Sequence, residues 1–521
     1  MEKDLHINPE NSSLPSFLRR QESPTKGERQ NSQSLILEEM LKQVQHDGLI
    51  IGNPSIEIHG IETNSKNCMA SFAFVAQRGV AVDGHTFIEK AIENGATAIV
   101  CEEIPAITNP NICYVQVENS AAVCGKLLKA FYEIDFTQLQ VVGVTGTNGK
   151  TTAATLLYQV FTQLGYTCGL ISTVCNYTGT EKSEATHTTP DTVQLYRLFH
   201  AMQQAGCTHC FMEVSSHAIH QQRISGIDFT GAIFTNLTQD HLDYHKTFAE
   251  YLRVKKQFFD NLSTSAFALV NNDDKNGQVM LQNTRAKKYS YSLKSMSDFK
   301  CKIIESHIGC TLLQIDGTEV WTKFIGAFNA YNLLSVYAAA ILLGEDKQEV
   351  LQIISMLTPV EGRTQFYRNA AGLTAVIDYA HTPDALENIL TTLKKLCTAD
   401  NKLITVVGAG GNRDTAKRPL MGAISAQLSD TVILTSDNPR DENPACIAIQ
   451  MLDGIPTEER SKVITILDRK EAIRTATMFA KPTDIILIAG KGHETYQEIL
   501  GVKHHFDDKE VVQEIFNMPI K

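Results

Sequence analysis

A chain of 521 residues is too long for one hydrophobic core, and two to four domains are expected. Its 43% hydrophobic and 20% charged content suits a globular protein, and a net charge of −11 argues against a nucleic-acid surface while leaving room for a local cation cluster that takes small anions. The twelve cysteines lack paired metal spacing, Cys207 and Cys210 forming a lone CxxC, so buried thiols in a reducing compartment are expected rather than zinc or disulfides.

Residues 1–33 are polar, without an apolar period, and read as a disordered extension carrying no chemistry. Short strands at 56–58, 60–61, 72–76 and 96–100, with a helix at 88–94, predict a small α/β domain over 34–136. From residue 140, strands at 210–214, 231–235 and 266–271 alternate with helices at 193–205 and 248–259. That alternation predicts a parallel sheet whose strand ends hold the ligands. The stretch 286–325 reads as short antiparallel strands, and 329–343 as a helix. After Gly362, strands at 373–378, 402–407, 431–435 and 485–489 and helices at 383–396, 421–428 and 469–480 predict a Rossmann-like unit, although it lacks G-x-G-x-x-G. No apolar run approaches a membrane span and no signal-type segment opens the sequence, so a cytoplasmic protein without membrane insertion is expected.

The sharpest stretch is VVGVTGTNGKTT at 141–152, an apolar strand passing through a glycine loop into Lys150-Thr151-Thr152 and a helix. Glycines let backbone N–H groups approach phosphate oxygens, the helix N-terminus favours negative charge, Lys150 adds a cation, and a Thr hydroxyl can reach Mg²⁺. Val144 stands where the longer phosphate-loop pattern has its first glycine, so the match is to G-x-x-G-K-T. A triphosphate site is predicted. Glu213 and His241 close two further strands of the same unit, and with the loop Thr they could hold Mg²⁺ on the phosphates.

The motifs TGTNGKTT, EVSSHA, TNLTQDHLDYH, GAFNAYN, EGR, DYAHTPDALE, GNRDTAKRPLMG, SDNPR and AGKGHE, in this order, resemble the Mur ligases of peptidoglycan synthesis, and within them the branch that adds meso-diaminopimelate. The likeness runs from about residue 34 to the end. It implies a three-domain α/β fold: a UDP-substrate domain at 34–136, a central phosphate-loop ATPase domain with a parallel sheet at 137–360, and a C-terminal Rossmann-like domain at 361–521. The implied reaction joins the amino acid to the D-Glu γ-carboxylate of UDP-N-acetylmuramoyl-L-Ala-D-Glu, through an acyl phosphate made with ATP. A monomer working on small molecules alone is implied.

The same resemblance assigns roles. Gly146, Thr147, Asn148, Gly149, Lys150, Thr151 and Thr152 would hold ATP, with Asn329 and Asn332 at the adenine and Asp378, Tyr379 and His381 meeting it from the third domain. Lys150, Glu213, His241 and Lys255 would be catalytic. Mg²⁺ would sit at Thr151 and Glu213, and a second ion near His241, supported by Lys255 as a CO₂-derived carbamate. The sequence alone reads Lys255 and Lys256 both as exposed helix lysines; register with the following Phe-Phe-Asp favours Lys255. Ser65, Thr188, Thr189, Ser215, Gln221 and Arg223 match the groups that hold the UDP-muramoyl-dipeptide, although the family more often has Asp-Ser-Arg around that serine. Diaminopimelate has a second amino-acid head that lysine lacks. Arg440 of Asp437-Asn438-Pro439-Arg440, assisted by Arg413, would pair its extra carboxylate, and Glu494 and Gly490 suit its distal end.

Overall fold

Three large sheets organise residues 34–45, 48–80, 82–398 and 400–517, which this computed structural model describes. The expectation for residues 1–33 lies outside the described residues.

The first sheet has five strands in the order Ile50–Ile51, Cys113–Gln116, Ala96–Cys101, Phe72–Val75 and Gly60–Glu62. All pairings are parallel except that of the Ile50–Ile51 edge. Helix Ser120–Phe131 leads out of this unit, and Asn119 caps it by accepting the Ala122 N–H at 2.8 Å. One buried apolar cluster runs from Leu37 to Ala286, so the first unit and one face of the central sheet share a core.

The central sheet has eleven strands. Strand Gln140–Thr145 lies between His209–Glu213 and Phe229–Phe234, parallel to both, with Gly143 level with Met212 and Ala232. Three neighbouring strands therefore release their carboxyl ends side by side: the phosphate loop, Glu213, and the segment from Thr235 to His241. That juxtaposition makes the site.

The expectation of short antiparallel strands over 286–325 needs correction. Lys287–Ser292 pairs parallel with Phe267–Asn271, Phe299–His307 joins it parallel, and only Phe299–His307, Cys310–Ile315 and Thr318–Thr322 form antiparallel pairs. The polar alternation of KKYSYS looks like an exposed strand. Tyr291 is nevertheless buried in the core that helix Ala327–Leu342 also builds, and its hydroxyl donates to Phe234 O at 3.1 Å.

The third sheet runs Gln365–Arg368, Thr374–Asp378, Ile485–Ala489, Leu403–Val407, Thr431–Leu434 and Val463–Thr465, parallel except at its first edge. Separate apolar clusters cover its two faces, one with Leu386, Leu390 and Leu393 and the other with Ile473, Ala476 and Val512. This is the doubly wound arrangement expected of a Rossmann-like unit. Helix Pro444–Asp453 and the hairpin Tyr496–Ile499/Val502–His505 were not foreseen. The twelve cysteines are free thiols, most of them buried, and burial raises the pKa of both Cys207 and Cys210. Among the described residues no helix is long and apolar enough to cross a membrane.

Candidate active site

Strand Gln140–Thr145 passes through the loop into helix Lys150–Gln163. Gly149, the residue before the helix, has φ +89°, and a Cβ there would lie 2.5 Å from Asn332 Oδ1. At Gly146 (φ +151°) a Cβ would lie 1.9 Å from Thr235 Oγ1. The neighbouring strand end fastens the loop: Thr235 Oγ1 donates to Asn148 O (2.6 Å), the Asn148 N–H to Asn236 Oδ1 (3.0 Å), and the Thr147 N–H to Asn236 O (2.9 Å). Lys150 folds back over the loop, Nζ donating to Gly146 O (3.0 Å) and Thr147 O (2.8 Å). Burial lowers its pKa, and Glu213 and Asp240 pull the other way. Buried Thr151 accepts from Arg363 Nη2 at 3.1 Å, and Thr152 is buried beside it. Gly149→Ala combines left-handed backbone strain of about 1–3 kcal/mol with the clash at Asn332. A rise in the KM for ATP of about tenfold or more is expected from steady-state titration, with an unchanged circular dichroism spectrum.

Helix Phe248–Asp260 separates the two adjacent lysines. Lys255 is 1% exposed, which corrects the sequence expectation of an exposed helix lysine. Its Nζ donates to Gly146 O at 2.9 Å and Thr145 Oγ1 at 3.4 Å and stands 4.9 Å from the Tyr251 ring centre. Lys256 points to Asp260 at 2.5 Å. Burial, and then the Lys150 charge, push the Lys255 pKa well below that of an ordinary lysine, toward the neutral amine. Tyr251 links the groups. Its hydroxyl is 3.2 Å from Thr147 Oγ1, and the His241 ring lies 6.2 Å from its own. His241 has φ +54°, its Nε2 is 3.3 Å from Asp240 Oδ2, and burial above all pushes its imidazole down to about 4. Glu213 is buried and accepts the Thr173 N–H at 2.7 Å.

Among the described residues no group of three or more His, Cys, Asp or Glu side chains is gathered to hold a metal. The oxygen donors present, the Thr151 hydroxyl and the buried Glu213 carboxylate, fit a hard cation that takes its remaining ligands from phosphate.

Thr188, Thr189, Ser215, Gln221 and Arg223 form one hydrogen-bonded cluster beside Glu213. Thr189 Oγ1 donates to Glu213 O (2.8 Å) and accepts the Ser215 N–H (3.0 Å). Thr188 Oγ1 accepts from Thr173 Oγ1 at 3.0 Å, and Ser215 caps helix Ser216–His220. Arg223 Nη1 donates to Thr189 O (2.9 Å), while its Nε and Nη2 hold Gln221 Oε1 (3.0 and 2.6 Å). Ser65 stands apart, buried in the first unit, where its carbonyl accepts from Asn94 Nδ2 (2.8 Å). The Glu62–Arg197 ion pair (2.6 Å) ties that unit to helix Thr192–Gln204, just beyond the threonines.

Asn329 and Asn332 are buried in helix Ala327–Leu342. Asn329 Nδ2 donates to Ile325 O at 3.0 Å, and Asn332 faces Gly149. In the third sheet, Asp378 accepts the Thr364 N–H (2.8 Å) and hydroxyl (2.9 Å), and burial raises its pKa. His381 Nδ1 is 2.8 Å from Tyr379 O, and burial drives its imidazole to about 4.

The neighbouring loops gather a second polar cluster. Asn438 Nδ2 donates to Glu494 Oε2 (2.7 Å), which buried Lys491 Nζ approaches at 3.3 Å. Burial and nearby Asp437 push the Glu494 pKa up. Gly490 lies so close that a Cβ would sit 2.5 Å from Asp437 Oδ2, and Pro439 O packs on Gly411 in the same way. Arg440 Nη1 donates to Gly411 O at 2.8 Å, while Arg413 is exposed on the adjacent loop.

Three family models match: the Mur ligase family catalytic domain over 57–132, the Mur ligase middle domain over 144–340, and the Mur ligase glutamate ligase domain over 362–492. The chain belongs to the Mur ligase family. Among relatives of this Mur ligase, the UDP-N-acetylmuramoyl-L-alanyl-D-glutamate–2,6-diaminopimelate ligase of Bacteroides thetaiotaomicron is 54% identical over 93% of the chain and all of the relative. That of Phocaeicola vulgatus is 55% identical over 90% of the chain and 96% of the relative. A solved structure of an enzyme so named superposes with TM-score 0.67 at 32% identity, covering 93% of this chain and 99% of the other.

Sequence reasoning gave no role to several groups that this Mur ligase gathers at the site. Asp240 is one: burial works to raise its pKa, but His241, His381, Lys417 and Lys150 outweigh that and hold it low. Arg363 reaches Thr151 and lies 4.4 Å over the Tyr379 ring, and Asp384 accepts from Asn148 Nδ2 at 2.8 Å, so both bridge the second and third sheets. Asp240, Arg363, Lys417 and Lys491 all fall inside motifs already singled out, and Tyr251 precedes Lys255 by one helical turn, a spacing that puts both on one face.

Proposed function

We propose that this Mur ligase is a UDP-N-acetylmuramoyl-L-alanyl-D-glutamate:meso-2,6-diaminopimelate ligase, acting in the cytoplasm as a monomer with ATP as a substrate. The reading is carried by one observation: the phosphate loop lies beside Glu213 and its hydroxyl- and guanidinium-bearing cluster, and is tied through Asn148–Asp384 and Thr151–Arg363 to the third sheet, whose loops bring Asp437, Glu494 and Arg440 together. Relatives of more than half identity along nearly their whole length bear the same activity in their names.

The chemical problem is bringing two anions together, and the site meets it by charge neutralisation and positioning. Thr189, Ser215, Gln221 and Arg223 orient the dipeptide so that the D-Glu γ-carboxylate faces the γ-phosphate. Attack there gives the acyl phosphate and ADP. The amine of diaminopimelate then attacks the acyl carbon, loses a proton, and phosphate leaves. Lys150 and Arg363 offset charge on the phosphates, and the N–H groups in the first turn of helix Lys150–Gln163 hold them. Thr151, Glu213, His241 and Lys255, the last as its carbamate, would hold Mg²⁺, which supplies Lewis-acid neutralisation of phosphate charge. Asn329 and Asn332 flank the adenine end, and Asp378 and His381 meet the nucleotide from the third sheet. Ser65 serves the uridine end. Arg440 with Arg413 takes the distal carboxylate; Asp437, Glu494 and the Gly490 backbone take the distal amine, with Asn438 and Pro439 shaping the loop.

The test is phosphate release with the dipeptide nucleotide and ATP, comparing meso-diaminopimelate with L-lysine. Equal rates with both, or no tripeptide by mass spectrometry, would sink the reading. Arg440→Ala is expected to raise the KM for diaminopimelate by roughly 10- to 100-fold, leaving the KM for ATP within about twofold. Equal effects on both constants would count against its role.

A further inference from the structure

The guanidinium of Arg440 already has an anionic companion. Glu498, on strand Tyr496–Ile499, places Oε2 at 3.3 Å from Arg440 Nε, with both side chains about three-quarters covered. The same residue grips the loop through its backbone. Its N–H donates to Asn438 Oδ1 at 2.9 Å, its carbonyl accepts the Arg440 N–H at 3.0 Å, and the next turn returns the Leu500 N–H to Arg440 O at 2.8 Å. With Nε facing Glu498 and Nη1 on Gly411 O, Nη2 is left without a hydrogen-bond partner among the described residues.

We propose that Glu498 is a positioning residue that acts through Arg440: it holds the guanidinium by its Nε edge and offsets its charge, so that the pocket favours a zwitterionic distal head over a lone carboxylate. The inference rests on the diaminopimelate reading above. A carboxylate entering alone meets an arginine already partly neutralised, with Asp437 and Glu494 nearby. A head carrying an ammonium beside its carboxylate adds a further cation to those acids, of which Glu494 already meets Lys491 at 3.3 Å.

Glu498→Gln separates charge from shape, because the amide oxygen can still accept from Nε. The probes are meso-diaminopimelate and 2-aminopimelate, which keeps the distal carboxylate and lacks the distal amine. In Glu498→Gln the preference for diaminopimelate over 2-aminopimelate, measured as the ratio of kcat/KM or of inhibition constants, is expected to fall about tenfold. The KM for ATP and kcat at saturating diaminopimelate should stay within about twofold. Glu498→Asp keeps the charge but withdraws it by one methylene; it should fall between the two and serves as the readout if the Gln variant does not fold. An ion pair with only a structural role would move the thermal midpoint and leave the ratio alone. A ratio within twofold of the unaltered enzyme overturns the inference by itself. Failure of the unaltered enzyme to ligate diaminopimelate overturns the underlying reading and the inference with it.

Discussion

Alanine at Lys150 is expected to lower kcat/KM by roughly 10³-fold or more, because a cation preorganised in a water-poor site is removed where phosphate charge must be offset. The ammonium already lies across the loop, 3.0 Å from Gly146 O and 2.8 Å from Thr147 O, so it needs little rearrangement to turn from carbonyl to phosphate oxygens. The loop should survive the change, since Thr235 and Asn236 still fasten it and Lys255 still donates to Gly146 O. Single-turnover phosphate release with the dipeptide nucleotide measures the effect, and a loss below tenfold would remove Lys150 from the phosphate site.

The second large effect belongs to Lys255, where activity and stability should move in opposite directions. Lys255→Met is expected to cost about 10²-fold or more in ligation, because the methionine can form no carbamate. Lys256→Met should stay within about twofold, its parent side chain being paired with Asp260. In carbon-dioxide-depleted buffer the Lys255→Met protein should also be more stable, on the order of 1 kcal/mol, because a buried ionisable group gives way to an apolar one of similar size. Gly146 O keeps Lys150 as its donor, so no orphaned acceptor is created.

The pH dependence has a definite sign. The folded-state pKa of Lys255 lies well below its unfolded value, so across that window the unfolded chain binds more protons and the parent gains stability as pH rises. The variant lacks this slope. Its advantage in thermal midpoint should therefore be larger at pH 6 than at pH 9. An advantage that grows with pH would mean Lys255 is not held neutral.

The phosphate loop was legible because its chemistry is packed into consecutive residues: glycine freedom, a cation and a hydroxyl at one strand-to-helix junction leave few alternatives. The central strands were legible for a related reason, since apolar runs such as CFMEV and GAIF, each set between helical periods, admit one layered arrangement. Lys255 was misread on residue type. Its spacing from Tyr251 and Phe259 places it on the buried face of its helix, but an isolated lysine is normally solvated and composition outweighed position. The strand at 287–292 was misread because a polar alternation does not reveal that a distant helix will cover it.

Sequence alone therefore determined the family, the α/β fold class and those elements whose signals lie within a few residues, because local spacing encodes local geometry. The tertiary structure decided everything that depends on strands far apart in the chain ending side by side: that Asp240 faces Lys417, that Arg363 reaches Thr151, that Asn148 meets Asp384, and that Glu498 stands against Arg440. Such contacts leave no periodic trace, because each is set by sheet order and register and neither residue's own neighbours carry that information.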